Sequence, residues 1–322
     1  MSELTTQRLD PTPIGLARAT DLLSRGGLVA FPTETVYGLG ADACNDHAVA
    51  RIYTAKGRPS FNPLIAHVAD IGAAQALTEW TDQAETLAQA FWPGPLTLVL
   101  RKRDNCGLSK LLSAGQDTVA VRVPEHPVAH SLLRAFGGPV AAPSANRSGQ
   151  ISPTLADHVV KGMSGRIEAV VDGGRCQVGL ESTIIGLAGR PTLLRPGQIT
   201  IDRLHDILGT PVFERKDTET ITAPGQLTSH YAPHARVRLN AVDWQPGELR
   251  LGFGAVACDL NLSPSGDMTE AAANLFEYLH RLDAQQAEVI AVSPIPHLGL
   301  GVAINDRLTR AAAPRETPEP RT

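Results

Sequence analysis

Aromatic residues and cysteines are scarce in this chain of 322 residues, and long apolar runs are absent from it. Because only 4% of the residues are aromatic, aliphatic side chains and alanine must fill its cores. No apolar run approaches the roughly 18 residues of a membrane span, and the N-terminal MSELTTQRLD lacks the apolar core of a signal peptide. The four cysteines lie at least 62 residues apart, which excludes CxxC zinc sites and a disulfide framework of the secreted kind. We therefore expect a cytoplasmic protein with reduced thiols and no membrane contact.

Excess positive charge is also missing, which argues against a dedicated nucleic-acid-binding protein. Residues 1–210 contain 19 Lys and Arg residues against 19 Asp and Glu residues, and residues 211–322 contain 10 against 14. Neither part is the electropositive body that binds phosphate backbones, so we expect no strong direct contact with nucleic acid. The chain further lacks an acidic cluster for a metal ion, a GxxxxGKS/T phosphate loop and a GxSxG nucleophile elbow.

The apolar pattern that is present predicts an α/β fold in two domains, since 322 residues exceed what one core usually serves. Strands and helices alternate irregularly over 11–210, which indicates an open mixed sheet with flanking helices. Residues 211–236 are polar and aperiodic, so we predict a linker, followed by a small Rossmann-like α/β domain over 237–313 and a disordered tail over 314–322. The predicted strands are 28–31, 63–68, 96–100, 118–123, 140–142, 169–172, 182–187, 192–195, 237–240, 248–253 and 287–293, and the predicted helices are 14–25, 45–56, 81–91, 269–282 and 301–312.

The segment FPTETVYGLG, residues 31–40, contains a Gly-Leu-Gly that partly matches the GxGxxA dinucleotide fingerprint. That fingerprint requires a strand, a tight turn and a helix in immediate succession, with an acidic residue about 20 positions further on. Here the predicted strand ends near Phe31, the helix begins only near Asn45, and residues 59–61 are not acidic. We therefore expect Gly38 and Gly40 to form a turn of the chain that holds no phosphate.

Two loops combine groups that suit phosphate binding. In KGRP, Lys56 and Arg58 flank a glycine at a predicted helix end, where both can converge on one anion. Cations are also favourable at a helix C-terminus for purely structural reasons. The loop AAPSANRSGQISPT, residues 141–154, follows a buried strand with hydroxyl groups, an amide and backbone N–H groups. It suits a phosphate, a ribose or an α-carboxylate, although a serine-rich turn is the simpler alternative.

Two arginines lie in or at the end of apolar strands. Arg122 is embedded in TVAVRV and Arg195 ends TLLR, and a buried arginine must find an anion. Glu181 could pair with one of them in a structural role. His230 and His234 have HxxxH spacing, but the intervening proline disfavours a helical metal pair. A proline-flanked loop that closes over a site fits this segment better.

Taken together, these segments resemble the YrdC-like threonylcarbamoyl-AMP synthases in their long, two-domain form. FPTETVYGLG, KGRPSFNPL, FWPGPLTLVL, DTVAVRVP, APSANRSG, DGG, GLEST and LLRPG occur in the family's order between about residues 20 and 200. SHYAPH and GLGVAINDRLTRAA resemble its linker and its Rossmann-like C-terminal domain. The resemblance implies a YrdC-like twisted sheet and the condensation of L-threonine, bicarbonate and ATP into threonylcarbamoyl-AMP and pyrophosphate. It also implies Mg2+ held mainly by ATP phosphates, and a downstream tRNA threonylcarbamoyl transferase as a partner.

The resemblance assigns roles to residues at the matching positions. The cluster around the reacting phosphate would comprise Lys56, Arg58, Ser144 and Asn146. L-threonine would be bound by Thr35, His67, Arg122, Ala142 and Ser182. ATP would be bound by Arg58, Asn62, Thr118, Ser144, Ser152, Arg195 and Tyr231. The linker would carry its tyrosine over the nucleotide as a lid, and no protein metal ligand is implied.

Two alternatives stay open at this point. The first is an RNA-binding or ribosome-associated module, which the balanced charge of residues 1–210 disfavours. The second is a carbamoyl transferase on a related domain, which usually carries additional domains with zinc-binding CxxC pairs that this chain lacks.

Overall fold

The computed structural model describes residues 4–215, 223–226 and 229–314. The chain separates into two compact units, the first formed by Met1–Ser148 and Ser152–Gln226 and the second by Gly149–Ile151 and Leu227–Thr322. In the described part of the chain, no helix has the length and apolar character needed to cross a membrane. The predicted tail lies outside the described residues except for Pro314, as do parts of the predicted linker.

The first unit is built on a mixed sheet. Its strands are β1 (Gln7–Leu9), β2 (Val29–Phe31), β3 (Gly38–Asp42), β4 (Ile65–His67), β5 (Leu96–Arg101), β6 (Thr118–Arg122), β7 (Val140–Ala141), β8 (Ala169–Val171), β9 (Thr183–Gly186), β10 (Thr192–Arg195) and β11 (Phe213–Glu214). Within the described residues they form one sheet in the order β1-β8-β2-β3-β7-β4-β6-β5-β9-β10-β11. Parallel pairs such as β4 with β6 mix with antiparallel pairs such as β5 with β6. The predicted α/β class with a mixed sheet is therefore confirmed.

Helices flank this sheet, and local capping sets several of their ends. They are α1 (Pro13–Ser24), α2 (Asp46–Lys56), α3 (Ile71–Leu77), α4 (Asp82–Phe91), α5 (Pro127–Phe136), α6 (Ala156–Met163) and α7 (Ile201–Leu208). The Thr12 side chain accepts the N–H of Gly15 at the start of α1, and Asn45 accepts two N–H groups at the start of α2. Gly57 ends α2 in the left-handed conformation, with φ of 62°. The predicted helices over 14–25, 45–56 and 81–91 are thus confirmed.

The Gly-Leu-Gly segment is a strand, so its prediction as a turn was wrong. Gly38–Asp42 forms β3, in which Gly40 pairs with Val29 of the antiparallel β2. A Cβ on Gly40 would lie 2.9 Å from the Phe31 ring and 2.9 Å from the Val29 carbonyl oxygen. Glycine is needed here because the strand packs directly on that ring, which is the usual reason for a glycine inside a strand.

Alternate residues on four central strands of the first unit define two faces of its sheet. Ile65, Val99, Ala120 and Ile184 form one small apolar cluster together with Ala223. Because side chains alternate along a strand, residues two positions away in either direction point to the same face. That rule places His67, Thr97, Arg122 and Ser182 beside the cluster, whereas the larger aliphatic core covers the opposite face. Polar candidates therefore share one face of the sheet.

The second unit has a parallel sheet of its own. Its elements are β12 (Arg236–Arg238), β13 (Leu249–Gly252), β14 (Leu260–Asn261), α8 (Met268–Asp283), β15 (Val289–Val292) and α9 (Leu300–Ala312). In the described residues the strands lie in the order β12-β15-β13-β14, and every neighbouring pair is parallel. A parallel sheet with two helices agrees with the small Rossmann-like α/β domain that the sequence predicted.

Candidate active site

Arg122 is the centre of a buried polar group on the sheet of the first unit. It lies on β6 with 3% of its surface exposed, and its register partner on the parallel strand β4 is His67. Its Nε donates to the Gly94 carbonyl oxygen at 3.1 Å, Nη1 donates to Thr35 Oγ1 at 3.0 Å, and Nη2 donates to Glu34 Oε1 at 2.6 Å. A guanidinium has five N–H donors, and within the described part of the chain the remaining two have no protein acceptor. The Arg122 guanidinium is therefore fixed by three protein acceptors and keeps two N–H groups for a ligand.

The hydroxyl of Thr35 is oriented by its neighbour Thr33. Thr33 Oγ1 lies 2.7 Å from the Val36 carbonyl oxygen and 2.8 Å from Thr35 Oγ1. Since a carbonyl only accepts, the Thr33 hydroxyl donates to it, and the Thr35 hydroxyl must donate to Thr33. Thr35 Oγ1 then accepts from Arg122 and keeps one lone pair, which suits an N–H donor of a ligand.

His67 is a neutral imidazole in this site. Burial and the nearby Arg122 guanidinium lower its pKa to about 3, so it carries no charge at neutral pH. Its ring stands edge-on to Phe31, with 6.3 Å between ring centroids, and its Nδ1 has no hydrogen-bond partner among the described residues. Next to it, the backbone N–H of Ala142 donates to the Ile65 carbonyl oxygen. Any ligand contact of the Ala142 backbone must therefore use its carbonyl oxygen.

Ser182 contacts Arg195, the second arginine predicted to bind a ligand. Ser182 Oγ lies 2.7 Å from Thr97 Oγ1 and accepts from Arg195 Nη2 at 3.1 Å, while Arg195 Nε donates to the Ser182 carbonyl oxygen. Arg195 Nη1 donates to the carbonyl oxygen of Pro224 at 3.3 Å. A residue predicted for L-threonine and one predicted for ATP are thus in direct contact.

Lys56 holds the loop that follows β7. Its Nζ donates to the carbonyl oxygens of Ser144 and Asn146, each at 2.5 Å, and its own carbonyl oxygen accepts from Ser148 N. Burial, and then the neighbouring Arg58 guanidinium, lower the pKa of the Lys56 ammonium well below its usual range, an effect that Glu181 opposes. In its charged form Lys56 has a third N–H, which has no partner in the described part of the chain, so the ammonium form keeps one donor for an anion.

Arg58 and Asn62 form a second buried pair beside this loop. Arg58 Nη2 donates to Asn62 Oδ1 at 2.6 Å and to the Pro63 carbonyl oxygen at 2.9 Å. Asn62 is fully buried, and its Nδ2 has no hydrogen-bond partner among the described residues. Because Arg58 fixes the amide oxygen, the amide N–H groups of Asn62 stay free to donate to a ligand.

Three of the predicted ATP residues remain to be placed: Ser152, Thr118 and Tyr231. Ser152 Oγ donates to Glu181 Oε1 at 2.5 Å, so Glu181 accepts from a predicted ATP residue. Thr118 begins β6 and points to the same face as Arg122, because it is four residues earlier on the strand. Tyr231 belongs to the second unit, where its ring lies 5.4 Å from the ring of Phe276. Its contact with a nucleotide stays a prediction.

Glu34 is the member of the group that the sequence analysis missed. A buried arginine requires an anion, and Glu181 was the predicted candidate, whereas Arg122 is paired with Glu34. The available signal was the acidic residue next to Thr35 in PTET, but 88 positions separate Glu34 from Arg122 along the chain. Only the fold brings the two together.

The described residues contain no group of three or more His, Cys, Asp or Glu side chains that could hold a metal ion. The polar groups in and beside this sheet are instead three arginines, a lysine, a neutral histidine, hydroxyls and an amide, together with Glu34 and Glu181, whose carboxylates accept from Arg122 and Ser152. Such a set binds carboxylates and phosphates through N–H donors. The arrangement therefore suits two anionic ligands, one near Arg122 and one near Lys56 and Arg58.

Comparisons with known proteins found matches along nearly the whole chain. The family described as "Telomere recombination", which joins Sua5, YciO and YrdC, matches residues 21–197. The family described as "Threonylcarbamoyl-AMP synthase, C-terminal domain" matches residues 199–313. A threonylcarbamoyl-AMP synthase of Bacillus subtilis is 41% identical in an alignment 335 positions long, which covers 96% of this chain and 96% of that protein.

A second relative, from Pyrococcus abyssi, is similar to this chain both in sequence and in three-dimensional structure. A threonylcarbamoyl-AMP synthase of Pyrococcus abyssi is 40% identical, over 92% of this chain and 94% of that protein. The crystal structure of P. abyssi Sua5 complexed with L-threonine has a TM-score of 0.85 with this fold at 36% identity. It covers 95% of this chain and 97% of its own.

Proposed function

The chain belongs to the Sua5/YrdC family of threonylcarbamoyl-AMP synthases, and we propose that it condenses L-threonine, bicarbonate and ATP into threonylcarbamoyl-AMP. In this reaction the amine of threonine attacks the carbon of bicarbonate or of the CO2 derived from it, and water leaves. An oxygen of the resulting carbamate attacks the α-phosphorus of ATP, and pyrophosphate leaves. The two alternatives raised from the sequence give way, because synthases match almost the whole chain.

Arg122 is the observation that carries the amino-acid half of the proposal. A buried guanidinium with two uncommitted donors can bind the carboxylate of L-threonine. Thr35 Oγ1, an acceptor by the orientation of its own hydroxyl, suits the amine, and neutral His67 and the Ser182 hydroxyl suit the remaining polar atoms. The amine must lose its proton before it attacks, and a site without a strong base favours catalysis by positioning.

The phosphates of ATP fit the second cationic group. Lys56, Arg58 and Arg195 would stabilise the charge that develops on the α-phosphoryl group and on the leaving pyrophosphate. Asn62 would donate through its free amide N–H groups, and the loop held by Lys56 would contribute hydroxyl groups and backbone N–H groups. The residues proposed for this half are Lys56, Arg58, Asn62, Thr118, Ser144, Asn146, Ser152 and Arg195.

Mg2+ fits this site as a companion of the nucleotide. The described side chains provide no cluster of ligands for it, and Mg2+ often keeps several waters and binds mainly through phosphate oxygens. When bound, it would neutralise phosphate charge. The protein's own residues would hold the nucleotide so that its α-phosphorus faces the carbamate.

The product sets the context of the reaction. A mixed anhydride of a carbamate and a phosphate hydrolyses readily, so we propose that the linker, with Tyr231, closes over the site and excludes water. We also propose that a tRNA threonylcarbamoyl transferase consumes the product in the cytoplasm. The described cysteines are all free, in keeping with a reducing compartment.

Release of pyrophosphate tests the proposal. We expect release only when ATP, bicarbonate and L-threonine are present together. A rate that does not change when L-threonine is left out would contradict the proposed function. Omission of Mg2+ should also lower the rate strongly, and L-serine in place of L-threonine provides the control for amino-acid selectivity.

A further inference from the structure

Glu34 is a buried carboxylate that has no part in the proposed contacts with L-threonine or ATP. We propose that Glu34 is a positioning residue for amino-acid binding: it fixes the Arg122 guanidinium so that its free donors meet the amino-acid carboxylate. The inference rests on the proposed function and deepens it, because it names the group that sets the affinity for the amino acid.

Both oxygens of Glu34 are committed within the protein. Oε1 accepts from Arg122 Nη2 at 2.6 Å, and Oε2 accepts from the backbone N–H of Glu125 at 3.1 Å. The backbone of Glu34 is fixed as well, since its carbonyl oxygen accepts from Val178 N. The Glu34 side chain is 7% exposed and that of Arg122 is 4% exposed. A carboxylate held at both oxygens has no freedom to follow a moving guanidinium, so it determines where Arg122 points.

Three fixed acceptors surround the guanidinium. Glu34 holds Nη2, Thr35 holds Nη1 and the Gly94 carbonyl holds Nε, so all three nitrogens are constrained. The plane of the group is therefore set before an amino acid binds, which avoids the cost of ordering it on binding. Of these acceptors only Glu34 carries a charge, and its bond is the shortest of the three.

A second effect concerns charge. A buried arginine without an anion would be strongly destabilised in the empty site. Glu34 neutralises Arg122 in the absence of substrate, so the site stays formed while it waits for an amino acid. The carboxylate of the amino acid then binds to an arginine that is already paired with Glu34. Its affinity therefore depends on whether the two free N–H groups of Arg122 point towards it.

Glu34→Gln is the test variant. Glutamine keeps the size of the side chain but has one acceptor oxygen, so it can accept from Arg122 or from Glu125 N and must turn its NH2 group towards the other donor. We expect the KM for L-threonine to rise by about tenfold or more, and the KM for ATP to stay within about twofold. Glu34→Asp, which keeps the charge and both acceptor oxygens, should recover part of the affinity for L-threonine.

Glu168 provides a matched control in the same unit. Its Oε1 accepts from Arg51 Nη2 at 2.5 Å and its Oε2 accepts from Leu28 N at 2.7 Å, which is the same pattern of one arginine and one backbone N–H. Glu168→Gln should change the two KM values equally little, because the hydrogen bonds of Glu168 and Arg51 involve no residue proposed for a ligand. A purely structural role of Glu34 would give Glu34→Gln, like Glu168→Gln, no selective rise in the KM for L-threonine.

The outcomes separate the inference from the proposed function. An unchanged KM for L-threonine in folded Glu34→Gln, or equal rises for L-threonine and ATP, would overturn the positioning role. Should Glu34→Gln not fold, as judged by thermal melting, Glu34→Asp takes its place, with the selective rise expected and its absence again overturning the role. If wild type and Glu168→Gln release no pyrophosphate in response to L-threonine, the proposed function itself fails.

Discussion

Replacement of Arg122 by lysine tests the amino-acid site while it keeps the buried charge. Arg122 donates to three acceptors through three nitrogens, at 2.6, 3.0 and 3.1 Å. Lysine has a single nitrogen with three donors, so it can satisfy Glu34 but not all three acceptors together with an incoming carboxylate. Removal of the charge altogether would strand Glu34 as an unpaired buried anion, at a cost of about 3–5 kcal/mol in folding stability.

The size of the effect follows from the hydrogen bonds that are lost. A hydrogen bond to a charged group contributes about 1.5–3 kcal/mol. Loss of one such bond to the carboxylate corresponds to a KM for L-threonine that is about 10- to 150-fold higher. The KM for ATP should stay within about twofold, because Arg122 has no part in the proposed phosphate group.

Pyrophosphate release under varied L-threonine, and then under varied ATP, measures both KM values. Arg51→Lys is the control. Arg51 likewise pairs with a glutamate of the first unit, Glu168, but its hydrogen bonds involve no residue proposed for a ligand. If Arg122→Lys leaves the KM for L-threonine within about threefold of wild type, or raises the KM for ATP as much, the assignment of Arg122 to the carboxylate is refuted.

Three further variants test the pH dependence, the phosphate group and the strand at the site. His67 has a pKa near 3 in the fold against about 6.5 unfolded, so protonation favours the unfolded chain as the pH falls. The difference in unfolding free energy between wild type and His67→Gln should then fall by about 2 kcal/mol between pH 7 and pH 5 in urea titrations, and a constant difference would contradict a neutral buried histidine. Lys56→Met should lower kcat by about 100-fold or more while the exposed Lys161→Met does not, and equal rates would remove Lys56 from catalysis. Gly40→Ala should destabilise the fold by about 1–3 kcal/mol, because its Cβ meets the phenyl ring beneath it at 2.9 Å, whereas Gly162→Ala meets nothing within 4 Å and should be neutral or stabilising in the same titrations.

Local signals in the sequence predicted the long elements of the fold well. Asn45 and Gly57 are strong helix-end residues, and both act as caps at the ends predicted from them. The helices α3, α5, α6 and α7 escaped prediction, and three of them have only 7 or 8 residues, which give too few turns to show a helical period. Gly38 and Gly40 were wrongly predicted to form a turn because glycine is typical of turns, and only the packing of β3 on Phe31 explains why this strand needs glycine.

The sequence could predict that the buried arginines of the site require anionic partners, but it could not predict which residues those partners are. A buried arginine requires an anion, so the sequence alone indicated that Arg122 has an acidic partner or ligand. It did not indicate Glu34, because the pair forms only when the loop after β2 meets β6. In the same way, Ser182 and Arg195 were assigned to different substrates, yet their contact at 3.1 Å depends on how β9 pairs with β10. The roles of single residues towards ATP, including that of Tyr231, stay predictions.

Identification of the reaction product tests the proposed synthase activity. The protein should be incubated with ATP, L-threonine and bicarbonate labelled with 13C, and the nucleotide product analysed by mass spectrometry. The proposed chemistry predicts an adenylate that contains threonine and carries one 13C in its carbamoyl group. An unlabelled threonine adenylate, joined through the amino-acid carboxylate, or the absence of any threonine-containing nucleotide would contradict the account.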